Sequence, residues 1–399
     1  MEAAKRLDGI TYAIRDVVAA STELEKQGRT ILKLNIGDPN AYDFDTPEYM
    51  KKALHEAIDG RHNGYADSQG LVRLRQAVVS QNKRRGFDSE AEDVVVSSGL
   101  SEAVNFAYAS LLNPGDEVMA PSPTYPQYEA LAKFYGAKNV YYELVEENGF
   151  QPDVEQLRKL VTTKTRAIVL INPNNPTGSL LPEKEVRKFI DFAAEHKLVV
   201  MADEIYSEMV FDEPAVAAAS LSKDVPILAM NGLSKNFLAP GWRMGWVTFC
   251  NFPDDSVKKA FVQLCRLRLS ASNPVEHASA VALENTAEYE PAKNGMLAKL
   301  KKRRDLAFKR LNGIPGISCV KPGGAFYAFP QIHDGKGVFE SDKQFVYDLL
   351  NENGVLTVFG SGFAQKPGTK HFRIVFLPPE ETLEQAFGEI EKFMRKRGF

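Results

Sequence analysis

The chain has 399 residues, 44% hydrophobic and 25% charged, with 49 basic against 52 acidic side chains and a formal net charge of −3. That is the make-up of a globular chain with room for two domains, and a charge so near balance leaves no basic footprint for nucleic acid or an anionic membrane. Cys250, Cys265 and Cys319 lack C-x-x-C spacing and the six histidines lack H-x-x-x-H spacing, so neither a disulfide framework nor a metal site is expected.

The opening stretch MEAAKRLDGITYAIRD is polar and has no apolar run of a secretory leader. No segment approaches the ~18–20 apolar residues that a bilayer span needs. A reducing, cytoplasmic setting is the expectation. A helical pattern follows around Tyr12–Gln27. From residue 94 to 250 short apolar runs alternate with amphipathic stretches: Val94–Ser98, Glu117–Pro121, Ala167–Asn172, Leu198–Asp203, Ile227–Asn231 and Met244–Cys250. Glu183–Lys197, opening after Pro182 with acidic residues, reads as a helix between two of them. Near-continuous apolar strands separated by helices predict an α/β fold with a mainly parallel sheet covered on both faces. The last hundred residues differ. A charged helix, Leu297–Leu311, precedes strand patterns at Gly316–Val320, Gly324–Pro330, Val355–Gly360 and His371–Leu377, the mark of a smaller α+β domain. The expected division is a large domain over residues 45–290 and a small one built from 1–44 and 291–399.

Open α/β sheets place their sites at the C-terminal ends of their strands, and several strand ends here carry polar groups. Leu198–Asp203 closes on a carboxylate, followed by Ile205 and Tyr206. A buried carboxylate needs a partner; a protonated pyridine nitrogen would be one, and an Asp capping a surface helix is the plainer alternative. Lys235, in Asn231-Gly-Leu-Ser-Lys-Asn, follows an apolar strand, where burial and a nearby cation lower an amine's pKa and make it a nucleophile for Schiff-base chemistry. Ser234 and Arg243 bracket it with donors suited to a phosphate. Val94–Ser98 runs into Gly99-Leu100-Ser101, a strand-to-helix turn whose backbone N–H groups form an anion seat. Asn175 lies in Asn172-Pro-Asn-Asn-Pro-Thr-Gly178, and Tyr125, just past another strand, is placed to stack on a planar ring or to pack a loop. Arg373 sits inside the apolar run His371–Phe376. There a guanidinium requires an anion, either a structural acid or a substrate carboxylate.

Taken together, Ser98-Gly99-x-Ser101, Asn175-Pro-Thr-Gly178, Asp203-x-x-Tyr206, Ser234-Lys235 and Arg243 resemble the fold-type I pyridoxal-phosphate aminotransferases of class I/II, over essentially the whole chain. The stretches Met230-Asn-Gly-Leu-Ser-Lys and Phe376-Leu-Pro-Pro look most like alanine aminotransferases of archaeal and bacterial type. The resemblance implies pyridoxal 5'-phosphate as cofactor and a ping-pong transfer between an amino acid, alanine for preference, and 2-oxoglutarate. It assigns Lys235 to carry the cofactor and shuttle the proton, Asp203 to the pyridine nitrogen, and Tyr206 and Asn175 to the ring oxygen. Tyr125 and Ile205 take the ring faces. Gly99, Leu100, Ser101, Ser234 and Arg243 take the phosphate, and Arg373 and Gly37 the substrate carboxylate. It also implies a homodimer with shared sites, in which Tyr65 reaches the other subunit's phosphate. Aspartate, aromatic or broad specificity stands as an alternative, although Leu100 occupies the place where some aspartate enzymes carry a lysine. Arg266 or Arg268 could serve a distal carboxylate. A C–S lyase would begin with the same chemistry, and a non-enzymatic regulator ranks last.

Overall fold

A computed structural model describes residues 4–8, 10 and 13–399. Its centre is an eight-stranded sheet whose strands, in chain order, are β1 (Val94–Ser97), β2 (Glu117–Ser122), β3 (Lys138–Val145), β4 (Gln151–Pro152), β5 (Thr165–Ile171), β6 (Val199–Asp203), β7 (Ile227–Gly232) and β8 (Gly245–Cys250). Across the sheet they run β1-β8-β7-β6-β5-β2-β3-β4. The six expected strands are present within a residue or two of their predicted bounds. The edge pair of the eight-residue β3 and the two-residue β4 was not expected. Its Lys-Asn-Val-Tyr-Tyr-Glu sequence is only partly buried, and an edge strand need not be continuously apolar.

From β3 through β2, β5 and β6 to β7 every pairing is parallel. β8 runs against both of its neighbours, β7 and β1. The reason is local: residues 233–244 return the chain without a crossover helix, and a direct return gives an antiparallel pair. Because β8 reverses twice, β1 again points the same way as β2, β5, β6 and β7. All five therefore present their C-terminal ends at one edge of the sheet.

The helix predicted after Pro182 runs Glu183–Glu195 and buries Val186, Phe189, Ile190 and Ala193 at helical spacing. It stops two residues before the expected end, and Lys197 takes a left-handed φ of 54°, which terminates the helix. The first helix spans Ala13–Lys26; Tyr12, where the pattern was read to begin, lies outside the described residues, as does part of the polar opening stretch. The late charged helix is far longer than predicted, Thr286–Asn312, and continues through Pro291. Buried Tyr289 and Met296 on either side of the proline hold the helix despite the one hydrogen bond it cannot donate.

The two chain ends meet. Leu32–Lys33 pairs in parallel with Val355–Leu356, while Tyr327–Ala328 and Val358–Phe359 flank Phe372–Val375 antiparallel. Short strands and covering helices here form the mixed layer expected of the C-terminal third. It packs against the C-terminal edge of the central sheet through one shared apolar core.

Candidate active site

The edge where the five strand ends converge opens into a cavity of about 340 Å³, within the usual size of small-molecule sites. Lys235, Asp203, Tyr206, Asn175, Leu100, Ser101, Tyr125, Ser234, Arg243, Gly37, Ile205 and Arg373 all line it. Residues far apart in sequence are thus brought together.

Lys235 follows β7. Its Nζ donates to the carbonyl of Gly37 at 2.6 Å and lies 5.4 Å from the Phe326 ring centre. Burial above all pushes its amine down to about 8; nearby Asp38 opposes the shift, while Arg373 and Arg243 add to it. Asp203 ends β6, and a turn rather than a helix follows it, so the helix-cap alternative fails. Its Oδ2 accepts from the Tyr128 hydroxyl at 2.7 Å and its Oδ1 from the Ile205 N–H at 3.2 Å. Burial raises its carboxyl to about 6, against the lowering pull of those two bonds. The Tyr206 hydroxyl shares a 3.0 Å hydrogen bond with that of Tyr327, and burial raises it well above the ordinary phenol value.

Arg373 is 1% exposed. Its Nη1 donates to Asn175 Oδ1 at 3.0 Å and its Nη2 to the Asn35 carbonyl at 2.6 Å. Its guanidinium carbon lies 4.7 Å from the ring centres of Tyr327 and Phe363. These contacts fix the orientation of the guanidinium at the cavity wall.

Gly99 caps the helix Leu100–Leu111 with φ 82°. A Cβ there would collide with the Arg243 guanidinium, so glycine is required both by conformation and by the close approach. Arg243 itself holds φ 54°, and its Nη1 donates to the Pro240 carbonyl at 2.8 Å. Helix N-terminus and guanidinium are thus neighbours, and Ser101 and Ser234 line the same cavity. Gly37 is constrained by space alone, since a side chain would strike the Tyr327 hydroxyl.

Tyr65, expected to serve a second subunit's site rather than this one, is 83% exposed and lies beside Ser270–Pro274, outside this cavity. Neither Arg266 nor Arg268 reaches it: Arg268 is turned into a 2.7 Å ion pair with Glu102. The sequence reading missed Tyr128, Tyr327, Asp38 and Arg15, all of which line the cavity. Tyr128 could have been found as the residue one helical turn after Tyr125. Arg15 and Tyr327 carried no signal apart from their positions in a helix and a strand pattern.

The comparisons agree with this geometry. The model of aminotransferase class I and II matches residues 29–390. The chain belongs to the class I and II aminotransferases. Among the relatives, the alanine aminotransferase of Mycobacterium tuberculosis (strain H37Rv) is 35% identical, aligned over 98% of this chain and 91% of its own. The glutamate-pyruvate aminotransferase AlaA of Escherichia coli K12 is 34% identical over 99% and 98%. A solved alanine aminotransferase of Pyrococcus furiosus superposes with a TM-score of 0.95 at 45% identity, covering 99% of this chain and 100% of that one. As a fold-type I aminotransferase the chain is a pyridoxal-phosphate enzyme acting on amino and keto acids. The site fits that cofactor on its own evidence: one cavity is lined by a buried carboxylate, a desolvated amine and a guanidinium, and that guanidinium lies against the glycine that opens a helix.

Proposed function

We propose that this aminotransferase exchanges amino groups between alanine and 2-oxoglutarate, with the residues of the cavity in the following roles. The observation that carries the reading is the joint placement of Lys235, Asp203 and the Arg373–Asn175 pair around one cavity. Pyridoxal phosphate, when bound, supplies an electron sink for negative charge at the substrate α-carbon. Asp203 would hold the pyridine nitrogen protonated. Tyr206 and Asn175 would hydrogen-bond the ring oxygen, with Tyr125 and Ile205 against the two ring faces. Gly99, Leu100 and Ser101, joined by Ser234 and Arg243, would grip the phosphate. Arg373 would orient the substrate by its α-carboxylate, assisted by the backbone at Gly37. Lys235, an amine held near 8, would take the α-proton and return it two atoms away, to the carbon beyond the nitrogen.

Three features favour alanine with glutamate. Tyr327 beside Gly37 narrows the substrate end, which disfavours bulk, although sterics alone discriminate modestly. Leu100 puts no cation beside the phosphate corner for an aspartate side chain. Arg15 sits at the cavity lining, available to the second carboxylate of glutamate or 2-oxoglutarate. The alanine and glutamate-pyruvate aminotransferases among the relatives point the same way. A panel of amino donors against 2-oxoglutarate, scored by kcat/KM, tests the reading; a strong preference for aspartate or an aromatic donor over alanine would overturn it.

The same reading includes a homodimer with shared sites. Its support is the exposed apolar set Tyr65, Leu267 and Leu269, 83%, 83% and 52% exposed, a grouping unusual on a monomer's surface. It also divides the chain into 45–290 and 1–44 plus 291–399, supported by the pairing of Leu32–Lys33 with Val355–Leu356; the helix Thr286–Asn312 would then belong to both parts. A cytoplasmic location is favoured by three free, buried thiols.

A further inference from the structure

Arg268 stands in the last turn of the helix Ser256–Arg268, and its side chain is 13% exposed. Its Nη1 bonds Glu102 Oε2 at 2.7 Å and Ser98 Oγ at 3.4 Å. Its Nη2 bonds the Ser68 carbonyl at 3.0 Å and that of Val96 at 3.4 Å. The guanidinium is a rigid fork, so a movement that tightens one side is felt by the other. On the first side lies the phosphate corner. The same Glu102 oxygen accepts from the Ser98 N–H at 2.7 Å, immediately before Gly99. On the second side lies the loop that carries Tyr65. That loop rides on the segment following Arg268: the Asn273 amide donates to the Gly64 carbonyl at 3.0 Å, the Ala66 N–H to Ser270 Oγ at 3.3 Å, and the Leu71 N–H to Glu276 Oε2 at 2.6 Å.

We propose that Arg268 is a positioning residue that couples the phosphate seat of its own chain to the Tyr65 loop completing the seat of a second copy. This rests on the shared-site reading above. The physical basis is charge. Glu102, in the first turn of the helix that opens the seat, repels a phosphate unless it is neutralised. A bound phosphate therefore favours the Arg268–Glu102 pair, and the paired guanidinium fixes the Ser68 carbonyl three residues from Tyr65. Occupation of one seat would then order the tyrosine offered to the other, and cofactor binding would be cooperative.

A hybrid dimer tests it. Two differently tagged chains are co-expressed, one carrying Lys235→Ala, so that lysine-bound cofactor absorbs at a single seat. The dissociation constant of pyridoxal phosphate at that seat is the readout. Arg268→Met placed in the Lys235→Ala chain should weaken binding at the intact seat about two- to thirtyfold, although the substitution lies in the other subunit. A purely structural role would act only when Arg268→Met shares the chain of the intact seat. That result, or none in either placement, overturns the proposal. Tyr65→Phe in the Lys235→Ala chain is the control: if it is not felt at the intact seat, the shared-site reading itself fails. Should Arg268→Met not assemble, Arg268→Lys serves. Its ammonium keeps the Glu102 pair but cannot span to Ser68, so the effect across the dimer should persist while the effect within the chain fades.

Discussion

The Tyr128 hydroxyl donates to Asp203 Oδ2 at 2.7 Å in the cavity wall, where both side chains are buried. The bond favours the carboxylate that the cofactor's ring nitrogen would pair with. Burial pushes Asp203 up to about 6 even with this bond in place. Tyr128→Phe should therefore raise it further, and the acid limb of the kcat/KM profile should move to higher pH. A hydrogen bond to a charged group is worth roughly 1.5–3 kcal/mol, so a loss of about tenfold near pH 6, shrinking by pH 8, is expected from half-reaction kinetics. A uniform loss with an unmoved acid limb would mean that Tyr128 only fills space.

The same carboxylate predicts a trade between function and stability. An aspartate whose folded value, about 6, lies above its ordinary value of 3.8 holds its proton more tightly when folded. In the cofactor-free chain it contributes no penalty below pH 4. The penalty grows as pH rises through 6 and reaches on the order of 3 kcal/mol above that. Asp203→Asn should thus raise the thermal midpoint of the cofactor-free chain by a few degrees at pH 8, with the difference vanishing near pH 4, while abolishing transamination. A lower midpoint at pH 8 would show that the ionised group is satisfied without the cofactor.

Lys235 gives a kinetic prediction. Covalent capture of pyridoxal phosphate by the cofactor-free chain needs the neutral amine. With the amine at about 8, the capture rate followed by stopped-flow absorbance should climb about tenfold per pH unit and level off near pH 8. A solvated lysine would keep climbing toward pH ~10.4. Because Asp38 opposes the lowering, Asp38→Asn should move the plateau to lower pH. An unchanged break would remove Asp38 from the electrostatics of the site.

Much of this was legible in the sequence because strand ends announce themselves: Asp203, Asn175, Gly99 and Lys235 each follow an apolar run, and parallel topology collects such ends at one edge. What stayed hidden came from elsewhere. Tyr327 and Gly37 meet only because the two chain ends pair with each other, a long-range contact that local pattern does not encode. Arg268 reads in sequence as a cation for a distal carboxylate, since nothing in its neighbourhood shows that Glu102 and Ser68 converge on it. The reach of the helix Thr286–Asn312 past Pro291 was likewise decided by tertiary burial over local propensity.

Arg15 offers the sharpest test of substrate choice. It projects from the helix Ala13–Lys26 to the cavity lining, whereas Arg373, held by Asn175 and the Asn35 carbonyl, is the residue proposed for the carboxylate that every amino acid shares. A dicarboxylate has a second anion to satisfy and alanine has none. Arg15→Ala should therefore raise KM for glutamate and 2-oxoglutarate about three- to tenfold, the range of a partly exposed ion pair. The KM values for alanine and pyruvate, and kcat for all four, should stay nearly constant, because the interaction is made equally in the ground and transition states. Measuring the two half-reactions separately decides it. Equal losses for alanine and glutamate would mean that Arg15 supports the fold of the cavity rather than reading the acceptor.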